Sequence, residues 1–307
     1  MASKQSLANK THYESMAANT EPMTPEAVIE VNDIHWTALT AEPRGVDYLE
    51  VDAAGVPAMW IVPKGSTTNR VLFYAHGGGF VSGSIYTHRK LVGHLAKAAG
   101  CRALIFDYPY AHEAKHPAQL EATMTAYRWL LWQGVAPERV VMAGDSCGAI
   151  LVFGAVQRMR DERMATPAGI AIISGWLDLA ATSPTFEQNA EKDIFFTRAT
   201  NQWLASNFLG DTDARDPYVS ALYCDPTGFP PIYLQAGADE TLVGESVMFA
   251  ERARDAGVNV QIDVFPEMLH SFQMMAGRAP EADEAIARLG AWARERFGLT
   301  TQSAISA

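Results

Sequence analysis

Apolar residues in this chain fall into short runs separated by stretches of helical spacing. The runs "VLFYA" (71–75), "RALIFDY" (102–108), "VVMAG" (140–144), "IAIIS" (170–174), "IYLQAG" (232–237) and "VQIDVF" (260–265) show little polar alternation. Such runs predict strands buried on both faces of a mostly parallel sheet. Two earlier segments, "VDYLEV" (46–51) and "VPAMWIV" (56–62), read as alternating strands around a turn at Gly55, for about eight strands in all. Between the runs, "HRKLVGHLAKAAG" and "SVMFAERARDAG" each stop at a glycine, as helices often do. Leu120, Met124, Tyr127 and Leu131 recur at helical steps and predict one apolar stripe. Strands alternating with helices give an α/β fold class, with the sheet flanked by helices.

One stretch breaks the alternation. Between "SGWLDLA" and "FPPIYLQAG" lie roughly 50 residues, too many for a simple connection inside a compact domain. They include Phe186, Phe195, Phe196, Trp203 and Phe208. We read this stretch as helical cap material, with "TRATNQWLASNFLG" as its helix. The expected organisation is a helical N-terminal segment (1–45) contributing to the cap, a first part of the core (46–182), a cap insertion (183–220) and a second part of the core (221–307).

Composition narrows the classes of function. The formal net charge of −11 argues against a protein that binds a phosphate backbone. Apolar residues at 48 % and charged residues at 19 % are ordinary for a folded globular chain. No run reaches the length of a membrane span, and the N-terminal residues lack the apolar centre of a signal peptide, so a cytoplasmic location is expected. The three cysteines, Cys101, Cys147 and Cys224, are widely spaced and form no CxxC pair, which argues against a disulfide framework.

The chemistry begins at "VVMAGDSCG", a G-x-S-x-G sequence placed after a strand and before a helical stretch. In that setting the serine, Ser146, sits on a sharp elbow with its hydroxyl exposed at the end of the sheet. A hydroxyl needs a base to take its proton, and the base needs a third group to orient it. His270 is the only histidine downstream of the serine. Asp239 follows the strand "IYLQAG" and is the expected acid, with Glu240 and Glu267 as competing carboxylates. The order Ser146, Asp239, His270 is that of one class of serine hydrolase. "YAHGGGF", at the end of an earlier strand, then supplies N–H groups from Gly77, Gly78 and Gly79 for an oxyanion, joined by that of Cys147. It has neither the spacing of a phosphate loop nor that of a dinucleotide fold.

Together "HGGGF", "GDSCG", "DETL" and "HSF" resemble the bacterial hormone-sensitive-lipase-like branch of the α/β-hydrolases, over nearly the whole chain beyond its N-terminal segment. The resemblance implies an eight-stranded α/β-hydrolase fold with a helical cap, and Gly78, Gly79 and Cys147 as oxyanion donors. It implies esterase activity on short acyl chains and, in some relatives, lactone opening or dimerisation. "GDSCGA" stands where that family usually has "GDSAGG", and "YPYAHEAKHPAQ" departs from its usual loop after the fourth strand.

The expected substrate is a small to medium uncharged ester or a lactone. Transfer to an alcohol and amide cleavage would use the same groups. A non-catalytic binding protein on this scaffold typically lacks the histidine that this chain has. The candidate pocket wall is Met16, Phe80, Tyr86, Trp203, Leu204, Phe208 and Leu269. No cofactor and no metal are expected. "HEAKH" (112–116) spells a zinc motif, but it lies between a strand and Pro117, where a continuous helix is not expected.

Overall fold

The computed structural model describes residues 1–17, 23–194 and 196–299. Helices α1 (Lys4–Ala17) and α2 (Pro25–Leu39) precede a single eight-stranded sheet. Its strands are β1 (Val46–Asp52), β2 (Pro57–Pro63), β3 (Thr67–Ala75), β4 (Cys101–Phe106), β5 (Val140–Asp145), β6 (Gly169–Ile173), β7 (Ile232–Gly237) and β8 (Val260–Phe265). Their order is β1-β2-β4-β3-β5-β6-β7-β8. Only β2 runs against its neighbours, so the six strands from β4 to β8 in that order are parallel.

The register of apolar residues explains which strands are central. Every residue of β5, β6 and β7 is buried, whereas the edge strands β1 and β8 carry exposed and half-buried positions. Helices α3 (Ile85–Ala99) and α9 (Pro280–Arg296) cover one face. Helices α4 (Ala118–Trp132), α5 (Gly148–Asp161) and α8 (Val243–Asp255) cover the other. On α4 the stripe of Leu120, Met124 and Tyr127 is buried as expected, but it continues through Leu130, and Leu131 is only half-buried. Gly100 (φ 68°) and Gly257 (φ 81°) end α3 and α8 in the left-handed conformation that glycine adopts without a Cβ clash.

Between β6 and β7 the chain leaves the sheet and forms α6 (Thr185–Gln188) and α7 (Arg198–Leu209). Thr197 caps α7 by accepting the Thr200 N–H. No helix among the described residues is long and apolar enough to cross a membrane.

Candidate active site

β5 delivers Ser146 from the centre of the sheet. The serine has φ 51°, a left-handed conformation that costs roughly 1–2 kcal/mol for a residue with a side chain. Backbone hydrogen bonds hold it there: its N–H donates to Ile173 O at 3.0 Å, and its carbonyl accepts from Trp176 N at 3.0 Å and Ala149 N at 3.1 Å. The flanking glycines are required by space. A Cβ on Gly148 would lie 2.1 Å from the carbonyl oxygen of Ala75, and one on Gly144 would lie 2.8 Å from the same atom.

His270 comes from the loop after β8 and is buried beside the same cavity as Ser146. Its Nδ1 lies 3.0 Å from Oε2 of Glu240. The expected acid, Asp239, is not there. Its carboxylate turns the other way, 3.1 Å from the Lys192 ammonium, and lines a separate cavity with Asn9, Lys10 and Glu267. The reason is local geometry. The chain turns as it leaves β7, Asp239 N–H donates to Met268 O, and successive side chains leave that turn on opposite sides. Glu267, the other competitor, sits at this second cavity too.

An ionised Glu240 can only accept, so Nδ1 carries the shared proton and Nε2 is left as the basic nitrogen. Burial by itself would lower the His270 pKa. The Glu240 hydrogen bond and charge, with Asp193 and Asp145 further out, outweigh it and raise the value above the ordinary histidine range.

The glycine loop is fastened from behind by Asp145, the last residue of β5. Asp145 Oδ1 accepts the Gly77 N–H and the Tyr74 hydroxyl, both at 2.9 Å, and Oδ2 lies 3.5 Å from His88 Nε2. Burial would raise this carboxyl, but His88 and the Tyr74 hydroxyl outweigh it and hold it below the ordinary carboxylate range. Gly78 and Gly79 line the cavity, with φ of 120° and 64°. Cys147 is fully buried, and its thiol packs against the backbone of Phe80 and Gly79, 3.6 Å from the Tyr108 hydroxyl. Burial pushes that thiol up to about 12.

The cavity holds about 170 Å³ and is walled by the glycine loop, the elbow, the loop after β8, α2, α3 and the insertion. Asn32 and Trp36 come from α2, and Phe196, Thr200 and Leu204 from the insertion. Of the expected wall residues only Leu204 lines it. Phe80 and Phe208 stack on each other at 3.9 Å and are fully buried behind the glycine loop. Trp203 and Tyr86 are exposed, Tyr86 donating to Glu50. Leu269 faces the second cavity, and Met16, on α1, packs at the margin of the core. Trp36, Phe196 and Met274 were missed because nothing in their local spacing distinguishes a wall residue from packing. The "HEAKH" segment is a turn and loop ahead of α4, with the His116 ring edge-on to Phe208.

Comparison with known proteins identifies the family. A family described as having the α/β-hydrolase fold matches residues 72–274. An acetyl-hydrolase of Streptomyces hygroscopicus is 34 % identical over 289 residues, covering 89 % of this chain and 97 % of the relative. An esterase of Acinetobacter venetianus is 34 % identical over 272 residues, covering 88 % and 89 %. A crystal structure of an esterase from the bacterial hormone-sensitive lipase family superposes with a TM-score of 0.92 at 35 % identity, covering 97 % of this chain and 100 % of that one. The chain therefore belongs to the bacterial hormone-sensitive-lipase family of α/β-hydrolases, and it is a carboxylesterase.

Proposed function

We propose that the chain hydrolyses small to medium uncharged carboxylic esters through a covalent acyl-serine, with Ser146 as nucleophile, His270 as general base and Glu240 as the group that orients it. The Ser146 oxygen bonds to the ester carbonyl carbon while its proton passes to His270 Nε2. The carbonyl oxygen becomes an anion beside Gly78 and Gly79, with the Cys147 N–H as third donor. The C–O bond to the alcohol breaks, and the departing oxygen takes the proton from His270. Water then attacks the acyl-serine, giving its proton to His270, and the acid leaves as Ser146 regains its hydrogen. Lactones open by the same steps, with acid and alcohol remaining in one molecule.

The observation that carries this reading is the 3.0 Å contact between His270 and Glu240, made at the wall of the cavity that also holds Ser146, Gly78 and Gly79. Cys147 is a poor rival nucleophile, because a buried thiol with a raised pKa stays protonated. An uncharged substrate suits a wall that has no lysine or arginine among the described residues. A short acyl group suits the volume of about 170 Å³, with Leu204 close over Gly79.

The test is a rate profile over p-nitrophenyl esters of increasing acyl length and a panel of lactones. Rates should peak at short chains, and Ser146→Ala should lose roughly four to six orders of magnitude while staying folded. Activity confined to long chains would contradict the substrate class. Transfer to an added alcohol with negligible hydrolysis would contradict water as the acceptor.

A further inference from the structure

We propose that the segment inserted between β6 and β7 is a brace for the acid loop, and that Asp193 is the positioning residue that sets Glu240 against His270. The inference rests on the reading of Ser146, His270 and Glu240 as the reacting groups. It concerns how the third of them is held.

The loop that carries Glu240 leaves β7 and enters α8 within a few residues, so the sheet gives it little support past Gly237. Its polar backbone is buried and must find partners elsewhere. The N–H groups of Ala238 and Asp239 donate to Phe265 O, at the end of β8, and to Met268 O just beyond it. The carbonyls and the Thr241 N–H are met by the insertion. Asn189 Nδ2 donates to both Ala238 O and Glu240 O at 2.9 Å, using its two hydrogens on the carbonyls either side of Asp239. Thr185 Oγ1 donates to Thr241 O at 2.5 Å. Asp193 takes the same residue from the other side: its Oδ2 accepts Thr241 N–H at 2.7 Å and lies 3.0 Å from the Thr241 hydroxyl. That hydroxyl is also 2.9 Å from Phe196 O and has one hydrogen for the two acceptors.

The same carboxylate then turns the chain back towards the site. Asp193 Oδ1 accepts Phe196 N–H at 3.1 Å, and the Phe196 ring stands edge-on to His270, centroids 4.6 Å apart at 68°. One side chain therefore fixes both the loop bearing the acid and the aromatic wall against the base. Asn189 and Asp193 are each 7 % exposed and Thr241 is fully buried, so water cannot readily replace these bonds. A carboxylate accepting backbone N–H groups makes stronger bonds than an amide would.

Asp193 also contributes charge. The charged or titratable groups facing His270 are Glu240 on the acid loop, Asp193 on the insertion and Asp145 on the elbow. From α1, Tyr13 donates its hydroxyl to His270 O at 3.1 Å. Removing the Asp193 charge takes one of the three anions away from His270, which favours the neutral imidazole and moves the acidic limb of activity to lower pH. A residue that served only to pack the cap would not move that limb.

The experiment measures kcat, KM and the pH dependence of kcat/KM on p-nitrophenyl acetate for Asp193→Asn and Thr241→Val, with active sites counted by a serine-directed phosphonate. Asp193→Asn should lower kcat roughly tenfold, the effect of one charge-assisted bond, leave KM within about twofold, and shift the acidic limb downward. Thr241→Val keeps the backbone bond and loses the hydroxyl, so kcat should fall by only about threefold, with the limb unmoved. Thr241→Ser should restore it. Should Asp193→Asn not fold, the Thr241 pair decides the matter, and an unchanged kcat in Thr241→Val overturns the proposal. An Asp193→Asn protein with unchanged kcat per active site and an unmoved limb also overturns it. Glu240→Gln, run alongside, separates the two readings: if it retains full activity, the triad assignment fails and the brace fails with it. If it is crippled while Asp193→Asn matches wild type, the brace alone is wrong.

Discussion

The two loops that complete the site are held in opposite ways. The glycine loop after β3 is fastened to the sheet itself, by Asp145 at the end of the adjacent strand and by the Tyr108 hydroxyl on His76 O at 2.7 Å. The acid loop after β7 is fastened mainly from outside the sheet, by Thr185, Asn189 and Asp193 of the insertion. A loop held by its own strand neighbours has its geometry written near it in the sequence. A loop held by a segment some tens of residues away does not. The comparison also implies different vulnerabilities: the glycine loop should fail by steric insult, the acid loop by loss of polar partners.

Gly78→Ala should produce the larger effect on the glycine loop. A Cβ there would lie 2.0 Å from the carbonyl oxygen of Ser82 in a backbone with φ 120°, so the loop must shift. Displacing one oxyanion donor typically costs 10²–10³ in kcat, about 3–4 kcal/mol, and the same loss is expected here with KM changed far less. Near wild-type kcat in the Gly78→Ala enzyme would break the assignment of that loop.

The pH profile sharpens the acid side of the comparison. Only the neutral imidazole can take the Ser146 proton, so kcat/KM rises as His270 deprotonates. Because Glu240, Asp193 and Asp145 raise the His270 pKa, half-maximal activity should fall above the ordinary value of about 6.5. A midpoint below that value would contradict the electrostatic account of the buried pair.

The smallest effect is expected at the wall. Leu204 carbons lie 3.0–3.7 Å from where a Gly79 Cβ would be, so this side chain closes the space over the glycine loop. Leu204→Ala should improve kcat/KM on longer acyl chains relative to acetate by roughly 10-fold, the usual value of a methylene or two in an apolar pocket. An unchanged acyl profile would place the acyl group elsewhere in the cavity.

Most of the fold was legible because its signals are local. All eight strands lie where apolar runs predict them, and the terminal glycines of α3 and α8 mark where those helices stop. The strand–turn–helix around Ser146 and the position of His270 after β8 follow from the same runs. The choice between Asp239 and Glu240 did not, because both follow one strand and only the turn decides which side each carboxylate takes. The wall was harder still. Phe80 and Phe208 were expected to face the substrate and instead stack behind the glycine loop, while Trp36 on α2 and Met274 beyond His270 reach the cavity only through the tertiary fold. An aromatic residue in a cap is read equally well as wall or as packing until its neighbours are placed.

The most direct measurement compares kcat/KM of Glu240→Gln and Asp239→Asn on p-nitrophenyl acetate under identical conditions. Glu240 meets His270 at 3.0 Å, whereas the Asp239 carboxylate meets Lys192 at a half-exposed pair. Glu240→Gln should fall by roughly 10³–10⁴, as when the orienting carboxylate of a serine triad is neutralised. Asp239→Asn should stay within about twofold, since exposed ion pairs contribute little. The reverse pattern, with Asp239→Asn crippled and Glu240→Gln active, would contradict the account.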